Sequence, residues 1–319
     1  MTATIGRPAI RASGLRKSYG KQVVLDGIDL EVAEGTVYAL LGPNGAGKTT
    51  TVHILSTLIA ADGGDIEVAG HDVGRDPDAV RAAIGLTGQF AAVDNQFTGE
   101  ENLQLMADLR HLGKTEGRRR VHELLDRFDL VDAAKKPATT YSGGMRRRLD
   151  LAMTLIGDPR IIFLDEPTAG LDPRSRRMMW QTIRELVAGG VTILLSTQYL
   201  EEADRLAHRI GVLDHGKLVA EGSPAELKRL LPGGHIRLVF ADANELDRAA
   251  RALTDGTRDD EGLSLQVPSD GGVGSLRALL DRLDVESIEA TALSVETPDL
   301  DDVFLSLTGD PDTAKVSVR

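Results

Sequence analysis

The stretch Leu41-Gly42-Pro43-Asn44-Gly45-Ala46-Gly47-Lys48-Thr49-Thr50 holds the residues best suited to chemistry in this 319-residue chain. It fits G-x-x-x-x-G-K-S/T, the spacing of a loop that cradles phosphate. Glycines at 42, 45 and 47, with Pro43, Asn44 and Ala46 between them, let the backbone curl so that successive N–H groups point inward at an anion. A helix from Thr50 to Leu58 adds the partial positive charge of its N-terminus. Lys48 is then placed to reach the β- and γ-phosphate oxygens of a nucleoside triphosphate, and the Thr49 hydroxyl to hold Mg²⁺. The loop predicts a triphosphate and is silent about what its energy drives.

Two further stretches offer chemistry. Asp165 and Glu166 close the apolar run Ile161-Ile162-Phe163-Leu164, which predicts a strand buried on both faces, as in a parallel sheet. Ligands of such sheets sit beyond the carboxyl ends of the strands. There Asp165 is expected to hold Mg²⁺ through water and Glu166 to polarise the attacking water. Tyr141-Ser142-Gly143-Gly144-Met145 opens a helix and makes a second anion site by the same backbone logic. The following Arg146, Arg147 and Arg148 read as the solvated face of that helix rather than as a nucleic-acid patch. The two cradles lie about 100 residues apart, and one nucleotide does not obviously fill both in a single copy. The second is therefore expected to serve a nucleotide held by a partner.

The elements that must position these groups can be read in outline. Strand-like alternation over Ile10–Ser18 and Val23–Val32 flanks a turn at Tyr19-Gly20, which leaves Tyr19 as a candidate ring to stack on a base. Thr36–Leu41 reads as the buried strand feeding the phosphate loop, and Asp65–Ala69 and Ile84–Thr87 as further strands around a polar run from Asp72 to Asp78. Thr98 and Glu101 have the spacing of a capping box, ahead of a helix striped by Leu103, Met106, Leu109 and Leu112. A second helix, Arg118 to Phe128, presents Val121, Leu124, Leu125 and Phe128 on one face. These helices interrupt the strand–helix alternation and predict an inserted helical subdomain. Val191–Ser196 reads as another buried strand, followed by Thr197-Gln198, a helix over Leu200–Ala207 and a hairpin around Asp214-His215-Gly216. Leu231-Pro232-Gly233-Gly234 marks a boundary. Beyond it, strands over His235–Phe240, Leu263–Val267 and Val285–Leu293 alternate with helices over Asn244–Leu253, Ser275–Leu283 and Asp299–Leu307.

Composition narrows the function classes. The chain has no cysteine, which excludes disulfides, zinc–thiolate sites and thiol catalysis. Its seven histidines form no convincing metal-ligand pair. Aromatics make up only 3% of residues, too few for base-stacking platforms along single-stranded nucleic acid. The net charge of −12 is concentrated in residues 235–319, which carry a net −10, and it argues against a nucleic-acid partner. No run of 18 apolar residues occurs, so the chain is not expected to span a membrane by itself.

With these motifs in order, the chain resembles the ATP-binding subunit of an ATP-binding-cassette (ABC) transporter. The phosphate loop at 42–50, the glutamine loop at Gln89, the signature Ser142-Gly143-Gly144, the acidic strand at 161–166 and the Asp172 loop at 170–173 carry the likeness. The wording Tyr-Ser-Gly-Gly-Met-Arg-Arg-Arg-Leu-Asp at 141–150, Thr87–Asp94 and the tail Asp299–Leu305 is most similar to the daunorubicin/doxorubicin-resistance exporters. The resemblance implies an α/β P-loop NTPase fold of ABC type, a mixed-sheet core with an inserted helical subdomain. It places that domain at 9–232, with the helical insert at about 90–158, and leaves 235–319 as a small α+β accessory domain. It implies ATP and Mg²⁺ as cofactors, with Gln89 joining Thr49 and Asp165 at the metal. It also implies a head-to-tail dimer, in which Ser142, Gly143 and Gly144 of one copy clamp the γ-phosphate held by Lys48 of the other. Hydrolysis would then drive export through a separate membrane-spanning permease, with this chain peripheral on the cytoplasmic face of the cell membrane.

The sequence departs from the family pattern at Tyr141 and Met145, where Leu and Gln are usual, and at Gln198, where the switch residue is usually His. A neutral amide at 198 can bond a γ-phosphate oxygen or orient water, but carries no positive charge. The rival readings are a soluble ABC ATPase acting on ribosomes or DNA, an importer subunit, and a nucleotide binder that does not hydrolyse. The single cassette and the lack of a heptad run weigh against the first.

Overall fold

Alternating apolar strands and polar turns resolve, in a computed structural model that describes residues 8–88, 92–230, 234–270, 272–296 and 298–308, into two units, Met1–Pro224 and Ala225–Arg319. In the first unit, β1 (Ile10–Tyr19) and β2 (Gln22–Val32) pair as a hairpin that buries Ile10, Leu15, Leu25 and Ile28 and leaves Tyr19 and Val23 exposed near its turn. β3 (Val37–Leu41) is buried at every position, as an all-apolar strand inside a covered sheet must be. It leads to α1 (Lys48–Leu55), β4 (Gly63–Val68), the short β5 (His71–Asp72), α2 (Pro77–Ala83) and β6 (Ile84–Thr87). Then come the helices α3 (Gly99–Leu109), α4 (Lys114–Arg127) and α5 (Gly143–Thr154), of which α3 packs on both others. Strand–helix alternation resumes with β7 (Ile161–Asp165), α6 (Pro173–Ala188), β8 (Thr192–Thr197), α7 (Leu200–Leu206) and the hairpin of β9 (Arg209–Asp214) and β10 (Lys217–Gly222). The short α8 (Pro224–Lys228) begins at the last residue of this unit and otherwise belongs to the second.

Two sheets build this unit. The larger has the order β10-β9-β3-β8-β7-β6, parallel throughout except for β10 at its edge. The smaller, β2-β1-β4-β5, is antiparallel. One apolar core joins them, with Ile10, Leu15 and Leu25 from the smaller sheet, Leu40 and Phe163 from the larger, and Val52, Ile54 and Leu55 from α1. Within the larger sheet Leu41 lies opposite Thr197, and Asp165 opposite Ser196. The carboxyl ends of β3, β8 and β7 therefore finish level, which is what assembles the site.

Several elements differ from the sequence expectation. α1 starts at Lys48, because Gly47, at φ 109°, turns the chain into the helix at once. α2 occupies part of the stretch read as a polar run; its single buried residue, Val80, offers no period to detect. α3 has the expected capping box, with Thr98 Oγ1 accepting from Glu101 N–H at 3.2 Å and Glu101 Oε2 from Thr98 N–H at 2.8 Å. Its buried face is rotated, however: Asn102, Leu103 and Ala107 are inside, while Leu109 is 62% exposed. Asn102 sets that rotation by donating to Asp94 O and Thr98 O and accepting from Asp94 N–H. α4 buries Val121, Leu124 and Leu125 as expected but begins at Lys114, ahead of Arg118.

The second unit comprises β11 (Gly234–Phe240), α9 (Ala243–Ala252), β12 (Thr257–Asp259), β13 (Ser264–Ser269), α10 (Val273–Val285), β14 (Ala290–Glu296) and α11 (Leu300–Thr308). Its antiparallel sheet has the order β12-β13-β11-β14. Burial alternates strictly along β11, so Ile236, Leu238 and Phe240 meet Leu246, Ala249 and Leu253 from α9 and its end, and Leu279 and Leu283 from α10. The strand expected over 285–293 begins only at Ala290, because α10 keeps its apolar stripe through Leu283 and runs on to an exposed Val285. Among the described residues no helix is long and apolar enough to cross a membrane.

Candidate functional site

The phosphate loop leaves β3 at Gly42 and enters α1 at Lys48, and each of its glycines has a separate reason to be there. A Cβ on Gly42 would collide with the Leu213 carbonyl oxygen, and one on Gly47 would fall 2.6 Å from Leu25 Cδ2. Gly45 and Gly47 have φ of 82° and 109°, left-handed values that other residues adopt only with strain. The tip of the β9–β10 hairpin braces the loop from behind, since Gly216 N–H donates to Ala46 O at 3.2 Å while Gly216 O accepts from Asp26 N–H at 2.8 Å. Pro43, Asn44, Gly45 and Thr49 remain open to solvent, whereas Ala46 and Lys48 are buried. Lys48 Nζ donates to Gly42 O at 2.7 Å and Pro43 O at 3.0 Å. Burial holds its ammonium below the usual lysine range, with Glu166 and Asp165 pulling the other way.

Across β8 from this loop stand the two carboxylates. Thr49 Oγ1 donates to Asp165 Oδ1 at 3.3 Å, and Ser196 Oγ also donates to Asp165 Oδ1. Glu166 is nearly buried, and its φ of 48° is unusual for a residue with a side chain. Such a conformation costs on the order of 1–3 kcal/mol and persists only where neighbours impose it. Here Ser196 does so: its carbonyl accepts from Glu166 N–H at 3.1 Å and its hydroxyl oxygen lies 3.3 Å from the same nitrogen. Ser196 was not singled out from the sequence; its signal is a hydroxyl directly after the apolar run Ile193-Leu194-Leu195.

A divalent cation fits this donor set. The Thr49 hydroxyl and the Asp165 carboxylate converge, and both are hard oxygen ligands. Among the described residues no group of three or more His, Cys, Asp or Glu side chains could hold a metal alone. The pair thus suits an ion such as Mg²⁺, which keeps water and substrate phosphates in its shell. Gln89, the third expected ligand, lies outside the described residues.

The other expected site residues are placed as follows. Thr50 is half-buried within the first turn of α1. Gln198 follows β8 directly and is exposed, on a bend fixed by Tyr199 N–H donating to Thr197 Oγ1 at 3.0 Å. Tyr19 ends β1 with half its surface exposed, and Lys17 Nζ sits 5.5 Å from its ring centroid. Ser142 caps α5 by accepting from Met145 N–H at 3.2 Å, leaving Gly143 exposed at the helix start. Among the described residues no hydrogen bond joins Ser142, Gly143 or Gly144 to the phosphate loop. Asp172 caps α6, accepting from Arg174 N–H at 2.9 Å, Ser175 N–H at 3.0 Å and Ser175 Oγ at 2.6 Å. The Ser175 hydroxyl and then its amide hold the Asp172 carboxyl below the usual range. A Cβ on Gly144 would strike that same Ser175 hydroxyl, so the signature and the Asp172 loop abut within one chain.

Tyr141 has a structural reason to replace the usual leucine. Its hydroxyl donates to Ala133 O at 2.7 Å, and its tip fills the space that a Cβ on Gly99 would need. The expectation of a solvated arginine face on α5 fails at Arg147. That guanidinium is buried and donates through Nε to Pro167 O at 3.0 Å, through Nη2 to Asp165 O at 3.0 Å and through Nη1 to Gly88 O at 2.7 Å. Asp150 lies 3.4 Å away on the next turn, and it accepts Ala92 N–H at 2.9 Å. Burial pushes the Asp150 carboxyl up, against the pull of the Ala92 amide and Arg147. Arg146 turns back to Ala138 O and Thr139 O, and Arg148 to Asp129. A last missed carboxylate, Glu202 on α7, is fully buried and accepts from Thr168 Oγ1 at 2.8 Å and Trp180 Nε1 at 3.2 Å. Burial pushes its pKa up.

Residues 25–169 match the family model described as ABC transporter. The chain is 51% identical over 304 residues to a daunorubicin resistance ATP-binding protein of Streptomyces coeruleorubidus, covering 95% of this chain and 96% of that one. It is 47% identical over 308 residues to a daunorubicin/doxorubicin resistance ATP-binding protein of Streptomyces peucetius, covering 95% and 93%. Among solved structures, a dimeric ATP-binding cassette in a post-hydrolysis state, bound to ADP and phosphate, matches with a TM-score of 0.61 at 26% identity, over 67% of this chain and 98% of that one. With about half of its residues identical over nearly its whole length to such relatives, the chain belongs to the ATP-binding proteins of the ABC transporter family.

Proposed function

We propose that this chain is the ATP-hydrolysing subunit of an exporter that moves a hydrophobic compound, of drug, antibiotic or lipid type, through a separate membrane-spanning subunit. The observation that carries the reading is the meeting of Thr49 with Asp165, beside a strained Glu166, at the level ends of β3, β8 and β7. The loop amides bind the β- and γ-phosphates, and Lys48 turns from Gly42 O and Pro43 O toward their oxygens. Thr49 and Asp165 hold Mg²⁺, which when bound offsets the charge of those phosphates. Glu166 takes the proton of the attacking water, and the Gln198 amide bonds the γ-phosphate or orients that water. Ser142, Gly143 and Gly144 of a second copy close the site from the other side, which joins two chains head to tail around ATP. The drug-resistance relatives and the dimeric cassette support a drug-type cargo and the pairing.

The test is ATP hydrolysis by the purified chain across a range of protein concentrations, beside Glu166→Gln. Specific activity should rise with concentration, and the variant should lose about 10³-fold in kcat while forming an ATP-dependent dimer. Turnover by Glu166→Gln at the parent rate would remove the assignment of the base.

A further inference from the structure

On the proposed pairing the signature residues serve a partner's nucleotide, so something in the same chain must tell them the state of their own site. Three separated segments converge on one side chain. Arg147 starts on the second turn of α5, the helix that Ser142 caps. Its fork reaches Asp165 O and Pro167 O, the carbonyls that bracket Glu166, at 3.0 Å each. Its Nη1 reaches Gly88 O, just past β6, at 2.7 Å, and its neighbour Asp150 holds Ala92 N–H at 2.9 Å. The guanidinium is buried, so these bonds have little competition from water.

We propose that Arg147 is a positioning residue that couples the two ATP sites of the dimer, by fixing the signature helix of each copy to the backbone on both sides of that copy's own Glu166. This rests on the dimeric ATPase reading. A shift of Glu166 on binding or hydrolysis moves Asp165 O or Pro167 O, and the planar fork cannot follow one without turning on the other. The helix bearing Ser142 then moves with the catalytic strand end, and the partner's γ-phosphate registers the change. The bonds to Gly88 and, through Asp150, to Ala92 tie these two residues to the same unit.

Arg147→Lys separates geometry from charge. Lysine keeps a cation beside Asp150 but cannot fork to Pro167, Asp165 and Gly88 together. Affinity for a fluorescent ATP analogue, measured at protein concentrations too low for pairing, should stay within about two-fold, since Lys48 and Thr49 are untouched. In the Glu166→Gln background, ATP-driven pairing should need about ten-fold more protein, and in the otherwise unaltered chain the Hill coefficient for ATP should fall to one. Arg147→Gln combined with Asp150→Asn removes the pair without stranding a buried charge, and should behave as the lysine variant does. Normal pairing and cooperativity in either variant would overturn the coupling, as would affinity that falls in step with activity. If Glu166→Gln with Arg147 intact neither binds nor pairs on ATP, the ATPase reading itself falls, and the coupling with it.

Discussion

The molecule contains two glycine-rich helix starts that look alike in sequence and are built differently. At Gly42–Lys48 the chain is pinned from behind by Leu213, Leu25 and Gly216, and it places a lysine within the cradle. At Ser142–Gly144 the loop is open, and the three arginines that follow are directed elsewhere, to Ala138, Thr139, Pro167, Asp165 and Asp129. The second start is left with backbone amides and one hydroxyl and, among the described residues, with no cation of its own turned into the cradle. On the proposed pairing, that difference separates a binding element from a closing one.

That contrast can be broken from either side. Lys48→Ala should lower nucleotide affinity about 100-fold by removing charge-assisted bonds to phosphate, read by fluorescence titration. An unchanged affinity would mean that the first cradle needs no more than the second has. Ser142→Ala should leave that affinity alone and lower specific activity about ten-fold, with the loss recovered in part at high protein concentration. A loss of binding by dilute protein would show that the signature serves its own nucleotide. The smallest effect concerns Glu202, whose partners Thr168 and Trp180 belong to the segment running from Glu166 to α6, beside the signature. Because burial raises its pKa, the folded state favours the protonated acid, and that contribution is lost as pH rises through the raised value. Glu202→Gln keeps an acceptor for both donors, so its melting temperature relative to the parent should climb by a few degrees between pH 5 and pH 8, seen by differential scanning fluorimetry. A difference that shrinks with pH would contradict the buried carboxyl.

How much of this was legible in the sequence depended on whether side chains or backbone did the work. β3, β7 and β8 could be read because a strand buried on both faces carries an apolar run, here Leu40-Leu41, Ile161–Leu164 and Ile193–Leu195. The capping box at Thr98 and the loop at Gly42 carry their chemistry in residue type and spacing. Arg147 could not be read, because its partners are the carbonyls of Gly88, Asp165 and Pro167, and a carbonyl leaves no trace in residue identity. The face of α3 was misplaced for a related reason: Leu109 fits the helical period, but Asn102 and its bonds to Asp94 and Thr98 decide which side turns inward. Ser196 escaped notice because its effect is on the backbone angle of Glu166, one strand away.

The brace behind the phosphate loop has a kinetic consequence. With Gly216 tying Ala46 to Asp26, and Gly42 and Gly47 packed too closely for even a methyl group, the seat for phosphate is shaped before ATP arrives. Capture then carries little ordering cost and need not wait for the loop to fold. On the proposed head-to-tail pairing, a preformed seat leaves the meeting of two loaded copies as the step that local concentration of the chain can adjust.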